Sequence, residues 1–160
     1  MLVKTYGSAV QGVDAQRITI EVNAGGTVQV GNFYHLVGLP DSAVKEGFQR
    51  LEAAIKNIGY KVPRLKLVVN LAPADLRKEG SAYDLPIAVG LLGSTRQIKT
   101  DGLEDFVMMG ELSLDGEIRP IKGALPIAIQ ARKEGFKGMF VPAENAREAA
   151  IVSDFKVYGV

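Results

Sequence analysis

Hydrophobic and polar residues alternate along the first part of the chain, and this pattern predicts β-strands. Residues 17–23 place three aliphatic side chains between polar neighbours, a period of two that is typical of a half-buried strand. Residues 1–11, interrupted near Gly7, and residues 33–37 predict two more strands. The turn signal at 24–26 and the short connections predict that the three strands form an antiparallel meander.

The period then changes to that of an amphipathic α-helix. Apolar residues recur at spacings of four and three from Val44 to Ile58. Asp41 or Ser42 is predicted to cap the start of this helix, and Gly59 to end it. The opposite, solvent-exposed face is predicted to carry Lys45, Glu46, Arg50, Glu52 and Lys56.

Strands and helices alternate in the rest of the chain. A strand over 66–71 and a polar loop over 74–83 precede a very apolar segment, 85–92, which is predicted to be a buried helix with Asp84 as its N-cap and Pro86 in its first turn. Further along, Asp115-Gly116 between residues 106–114 and 117–121 predicts a β-hairpin. The remaining predictions are a helix over 124–134, a strand over 138–141, a short helix over 145–152 and a strand over 155–158. The order β-β-β-α-β-α-β-β-α-β-α-β predicts an α+β fold, a mixed α/β sandwich.

Composition excludes several kinds of site. The chain has 160 residues, the size of one domain, and contains no cysteine, which excludes disulfides, iron–sulfur clusters, thiolate zinc sites and a cysteine nucleophile. His35 is the single histidine, so a two-histidine metal helix is excluded, and we predict that this residue is a structural or surface residue rather than a ligand or a base. With no dense carboxylate cluster either, we expect no metal site.

Charge and hydropathy indicate which binding partners and which cellular location to expect for this chain. The net charge is +1, although residues 41–80 carry eight Lys and Arg against five Asp and Glu. Such a small imbalance is most often a solvated helix face. The longest apolar run, 85–92, is too short to span a membrane, and the N-terminus has no signal-peptide core. We therefore predict a cytoplasmic protein without membrane contact.

Candidate chemistry is sparse. No Gly-Lys dipeptide occurs, so the chain has no phosphate-binding P-loop, and any ATP must bind elsewhere. Ser81 and Lys122 could form a Ser–Lys catalytic pair, or be a turn serine and a surface lysine. The charged loop 75–80 could be functional, or Asp75 could simply pair with Arg77 or Lys78.

Four motifs, in order, carry a resemblance to a known family. They are GLPDSAVKE at 38–46, NLAPADLRKEGSAYDLPIA at 70–88, GELSLDG at 110–116 and VPAEN at 141–145. With these motifs the whole chain closely resembles the N-terminal domain of the YifB/ComM family of bacterial magnesium-chelatase-like AAA+ ATPases.

The resemblance implies a fold, a cofactor and partners. The fold would be that of the Lon-protease domain, on the scaffold of the second domain of ribosomal protein S5. Residues 1–160 would form this single domain, and the AAA+ module, absent from this chain, would bind ATP and Mg²⁺. Family members are implicated in DNA processing during natural transformation, as hexameric helicases or branch-migration motors. DNA and a homo-oligomeric ring are therefore the expected partners of the longer protein.

The likeness to Lon makes a peptidase the principal alternative function. Alignment on the Ile87-Ala88 pair places Asp84 where Lon has its catalytic serine, and alignment on Gly123 places Leu125 where Lon has its catalytic lysine. Neither replacement can do the original chemistry, so we expect no peptidase activity. An unusual pairing of Ser81 with Lys122, each offset by three residues, would be the remaining route.

Two non-catalytic roles follow from the resemblance: contact with DNA or neighbouring subunits, and recruitment of a partner without DNA contact. Cationic side chains neutralise phosphates without reading sequence. The candidate contact residues are Lys45, Arg50, Arg77, Lys78, Arg119 and Lys122. The loop within the motif at 70–88, residues 75–84, is called the motif loop, and it adds Asp75, Glu79, Ser81 and Asp84 as candidate site residues.

Overall fold

A seven-stranded mixed sheet lies at the centre of the molecule. The computed structural model describes all 160 residues. The strands are β1 (Leu2–Gln11), β2 (Asp14–Thr27), β3 (Tyr34–Val37), β4 (Leu65–Ala72), β5 (Phe106–Met108), β6 (Glu111–Leu112), β7 (Ile118–Arg119), β8 (Gly138–Val141) and β9 (Lys156–Gly159). The sheet order is β3-β4-β2-β1-β5-β8-β9, while β6 and β7 form a separate hairpin. Within the sheet β2 is antiparallel to β1 and β4, and every other neighbouring pair is parallel.

Four helices cover the sheet. They are α1 (Ser42–Asn57), α2 (Asp84–Ser94), α3 (Ala124–Lys133) and α4 (Ala146–Ala149). The prediction of a mixed α/β fold is confirmed. None of these helices is both long enough and apolar enough to span a membrane. No group of three or more metal-ligating side chains is arranged to hold an ion.

One face of the sheet packs against α1 and α2. The alternation predicted in β2 is confirmed, because Ile18, Ile20 and Val22 are fully buried on this face. A Cβ at Gly90 of α2 would lie 2.6 Å from Cγ2 of Val22, so glycine is needed for helix and sheet to approach this closely. On the same face Tyr34 stacks against Phe48 of α1, with ring centroids 4.2 Å apart.

The other face packs against α3. Tyr6 points away from α2 and contacts Phe136, just after α3, with ring centroids 5.3 Å apart. A Cβ at Gly123, the N-cap of α3, would lie 2.8 Å from Val10 on this same face of β1. The helices α1 and α2 therefore lie on the opposite side of the sheet from α3.

The predicted antiparallel meander is wrong beyond its first two strands. β3 pairs in parallel with β4, in the register Tyr34↔Leu67, because the chain crosses over through α1 before it returns to the sheet. Gly7 does not interrupt β1, since it pairs with Ile18 inside a continuous ladder. Residues 24–26 are likewise not a turn but an irregular end of β2, where the register shifts between Ala24 and Thr27.

The helix predictions are confirmed in position and corrected in detail. Asp41 caps α1 by accepting a hydrogen bond from the Val44 N–H at 2.8 Å. The predicted N-cap role of Asp84 is wrong, because α2 begins at Asp84 itself and has no side-chain cap. The predicted strand over 106–114 divides into β5 in the main sheet and β6 in the hairpin, and the last helix is shorter than predicted.

Candidate functional site

A cavity of about 630 Å³ opens between the motif loop and the segment that leads into α3. Ser81 and Lys122 both line it, so the structure brings together the two residues considered as a catalytic pair. Glu79 and Glu111 add two carboxylates, and Val10, Met109 and Ile127 are among its apolar lining residues. Because the acidic side chains in the lining outnumber Lys122, the cavity interior is not a basic channel.

The Ser81 and Lys122 side chains are not hydrogen-bonded to each other. Ser81 is half-buried and Lys122 is exposed, and Lys122 forms no ion pair within the chain. A serine nucleophile needs a base within hydrogen-bond reach to remove its proton. This arrangement lacks that contact.

Asp84, which the resemblance aligns with the catalytic serine of Lon, is fixed in a buried ion pair. Its side chain is 2% exposed, and Arg50 approaches it with Nε 2.6 Å from Oδ2 and Nη2 3.1 Å from Oδ1. The Leu112 N–H donates to Oδ2 at 3.1 Å. Burial raises the pKa of Asp84, while Arg50 and the Leu112 N–H oppose that shift. The carboxylate therefore ties α1, α2 and β6 together.

The ion pair with Asp84 corrects the prediction that Arg50 lies on the solvent-exposed face of α1. Its side chain is 19% exposed and also donates to the Ala43 carbonyl at 2.9 Å, so it is not on a free face of α1. The hydrogen bond to Asp84 raises the pKa of the Arg50 guanidinium, which stays charged. Gly47 makes room for this contact, because a Cβ there would lie 2.5 Å from Oδ1 of Asp84.

Lys78 is also a buried structural residue, and its prediction as a DNA or subunit contact is wrong. The residue is fully buried, and its ammonium donates to the carbonyls of Gly38, at 2.8 Å, and Pro73. Desolvation lowers the pKa of Lys78, and the charge of Asp75 opposes that shift. The Lys78 side chain thus fastens the motif loop to the segment before α1.

Asp41 fastens the same two segments from the other side. Its Oδ2 accepts from the Gly80 N–H at 3.1 Å, while its backbone N–H donates to the Lys78 carbonyl at 2.9 Å. The sequence predicted Asp41 as a helix cap and missed this second contact. The sequence signal that linked the two segments was that both belong to the four family motifs.

The remaining candidates lie at the surface. Arg77 is exposed and pairs loosely with Glu79, at 3.4 Å, rather than with Asp75, which forms no ion pair. Lys45 is exposed on α1, and Arg119 is exposed on β7 opposite Glu111. His35 is half-buried on β3, opposite Val68 of β4.

Leu125, which the resemblance aligns with the catalytic lysine of Lon, is outside the large cavity. It lies in a separate groove with Ile129 and Ile151. The sequence did not predict two residues that form part of the site. Glu111 was noted only as part of a motif, and Gly47 was not singled out. A glycine in the middle of a predicted helix was the available signal for close packing at Gly47.

The fold defines a class of protein: a Lon-like mixed α/β domain, in which a buried ion pair joins α1 to α2. A family model for subunit ChlI of Mg-chelatase matches residues 18–145. The chain belongs to this ChlI, magnesium-chelatase-like family.

The chain is also similar to individual proteins, among them the following three. It is 40% identical over 157 residues to competence protein ComM of Haemophilus influenzae. That alignment covers 98% of this chain and 30% of ComM. It is 41% identical over 145 residues to YifB of Escherichia coli, covering 91% of this chain and 28% of YifB. Lon protease 2 of Bacillus subtilis is 26% identical over 104 residues, which cover 65% of this chain and 18% of that protease. The chain thus spans less than a third of the length of its ComM and YifB relatives.

Proposed function

We propose that this chain acts as a non-catalytic N-terminal domain of a magnesium-chelatase-like AAA+ ATPase and assists DNA processing. The observation that supports the proposal is the buried Asp84–Arg50 pair, because it gives a structural role to the residue that the resemblance aligns with the catalytic serine of Lon. The similarity to a competence protein supports the link to DNA. In this proposal ATP and Mg²⁺ bind to the AAA+ module of the longer protein, which assembles as a hexameric ring in the cytoplasm.

The proposed DNA contacts are the exposed cations around the large cavity rather than its acidic interior. Lys122 lies on the cavity wall, and Arg77 lines a neighbouring cavity of about 260 Å³ that shares Glu79 and Tyr83 with it. Lys45 and Arg119 provide further exposed positive charge. Because the net charge is only +1, one domain would bind DNA weakly and several domains in a ring would gain avidity.

We expect the double variant Arg77→Ala/Lys122→Ala to bind DNA more weakly and with a shallower salt dependence. Loss of two phosphate contacts should reduce the slope of log affinity against log salt by about 2 for duplex DNA. The measurement is fluorescence anisotropy of the chain with labelled single-stranded and duplex DNA across a salt series. Lys78 is left intact in this experiment because its loss would disturb the fold.

Lys156→Ala is the matched control, since Lys156 is exposed at the far edge of the sheet on β9. An unchanged affinity and salt slope in the double variant would remove these two residues from the DNA path. A folded chain that binds no DNA even at low salt would contradict DNA contact and favour assembly or partner recruitment.

A Ser–Lys peptidase is the second candidate, because Ser81 and Lys122 share the large cavity. The absent hydrogen bond between them argues against it. The discriminating measurement is hydrolysis of a fluorogenic peptide library by the chain and by Ser81→Ala. Hydrolysis that disappears in Ser81→Ala would establish the peptidase and refute the non-catalytic role.

A further inference from the structure

An apolar groove with a basic rim lies between α3 and the segment that follows α4. It measures about 370 Å³ and is lined by Leu125, Ile129, Ile151 and Val152. Two of these side chains are unusually open to solvent, with Ile129 42% and Ile151 73% exposed. The other lining residues include two cations, Arg132 and Lys133. Lys133 forms no ion pair, and Arg132 reaches only an exposed Asp154, at 3.7 Å.

A complementary projection is present at the tip of the β6–β7 hairpin. Leu114 at this tip is 58% exposed, and its neighbours Asp115 and Glu117 are exposed carboxylates. We call residues 114–117 the acidic tip and the groove around Ile151 the basic groove. An apolar side chain flanked by acids complements an apolar groove flanked by bases in polarity and in charge.

The acidic tip is held in a defined conformation. Asn57 of α1 donates from Nδ2 to the Leu114 carbonyl at 2.7 Å. The Asp115 carboxylate accepts from the Ser113 hydroxyl and, at 3.0 Å, from the Glu117 N–H. A projection that is already ordered loses little conformational entropy on binding.

Within one chain the acidic tip cannot reach the basic groove. The tip contacts the C-terminal end of α1, because a Cβ at Gly116 would lie 2.5 Å from Cγ2 of Ile58. The groove is built on α3, which lies on the opposite side of the sheet. The two surfaces can therefore meet only between different molecules.

We propose that the acidic tip of one copy of this chain docks in the basic groove of the next copy, with Leu114 against Ile151 and Glu117 beside Lys133. Two different surfaces on opposite sides of the protomer form a head-to-tail contact, which closes into a ring when the rotation per subunit allows it. The inference rests on the ring assembly in the proposed function and names its contact surfaces. It does not depend on DNA binding.

Disulfide trapping tests the contact directly, because the natural chain contains no cysteine. Two single variants, Leu114→Cys and Ile151→Cys, one of them carrying a size tag, are mixed and mildly oxidised. The mixed disulfide should form about ten-fold faster than in a mixture of Val30→Cys with Ile151→Cys, because docking raises the effective thiol concentration. Val30 is a matched control, since it is apolar and 90% exposed.

Charge exchange then tests the specificity of the contact. Glu117→Lys added to the Leu114→Cys chain, or Lys133→Glu added to the Ile151→Cys chain, should each slow formation of the mixed disulfide. Both changes together should restore it, because they exchange the charges across the contact. All these positions are exposed, and equal urea midpoints would show that the variants remain folded.

Two outcomes would overturn the proposal. Equal rates for the Leu114→Cys and Val30→Cys mixtures would mean that no docking occurs, and a predominance of Leu114–Leu114 dimers would mean a two-fold symmetric contact instead. The DNA salt series is read separately on Arg77→Ala/Lys122→Ala. Failure of the interface and failure of the proposed DNA role are therefore distinguishable.

Discussion

Replacement of Asp84 by alanine is expected to lower the free energy of unfolding by about 3 to 5 kcal/mol, the usual cost of breaking a buried ion pair from one side. Arg50, of which only 19% is exposed, would keep its charge and lose both carboxylate contacts. The Leu112 N–H would lose its acceptor as well. Urea denaturation of the chain and of Asp84→Ala measures the difference.

Glu52→Ala is the matched control, because Glu52 lies on α1, the helix that carries Arg50. Glu52 pairs with Lys56 at 2.9 Å, but the lysine side chain is 58% exposed, so its loss should cost only about 0.5 kcal/mol or less. A cost for Asp84→Ala as small as that of the control would contradict the structural role of the buried pair.

Arg50→Ala adds a dependence on pH whose sign follows from the pKa of Asp84. Burial already raises this pKa above 3.8, and removal of Arg50 takes away the largest opposing contribution. A carboxyl with a raised pKa in the folded state contributes most to stability below about pH 4 and loses that contribution as the pH rises through the folded value. The deficit of Arg50→Ala relative to the natural chain should therefore grow from pH 4 to pH 7.

Replacement of Lys78 by methionine is expected to lower the free energy of unfolding by about 2 to 4 kcal/mol. Methionine keeps most of the buried stem but leaves the carbonyls of Gly38 and Pro73 without the ammonium donor, and each unsatisfied buried acceptor costs about 1 to 3 kcal/mol. Urea denaturation gives the change in stability. Hydrogen exchange at the Gly80 N–H, which is bonded to Asp41, reports whether the motif loop loosens.

The neighbouring cation provides the control for Lys78. Arg77→Ala removes an exposed side chain with one loose ion pair and should change stability by less than about 0.5 kcal/mol. If Lys78→Met were as mild as Arg77→Ala, the two carbonyl contacts would not be holding the loop.

The predictions that succeeded rest on local patterns. The aliphatic alternation of β2 and the helical spacing of α1, with its cap at Asp41, are each set by neighbouring residues. Glycine inside the apolar segment of α2 allows close packing at a second point, since a Cβ at Gly93 would lie 2.7 Å from the Thr100 side chain. The meander failed because the partner of β3 is chosen by a crossover through α1 rather than by the nearest strand along the chain.

The sequence by itself determined the strands and helices, the chemistry that the chain cannot perform without cysteine, and the motifs that identify its family. Only the tertiary structure decided what each charged residue does. Asp84 looked like a helix cap and Lys78 like a surface cation, but their partners lie 34 and 40 residues away along the chain, at Arg50 and Gly38. The spacing of side chains in sequence predicts local geometry, whereas the desolvation that gives a buried charge its role arises only when distant segments pack together.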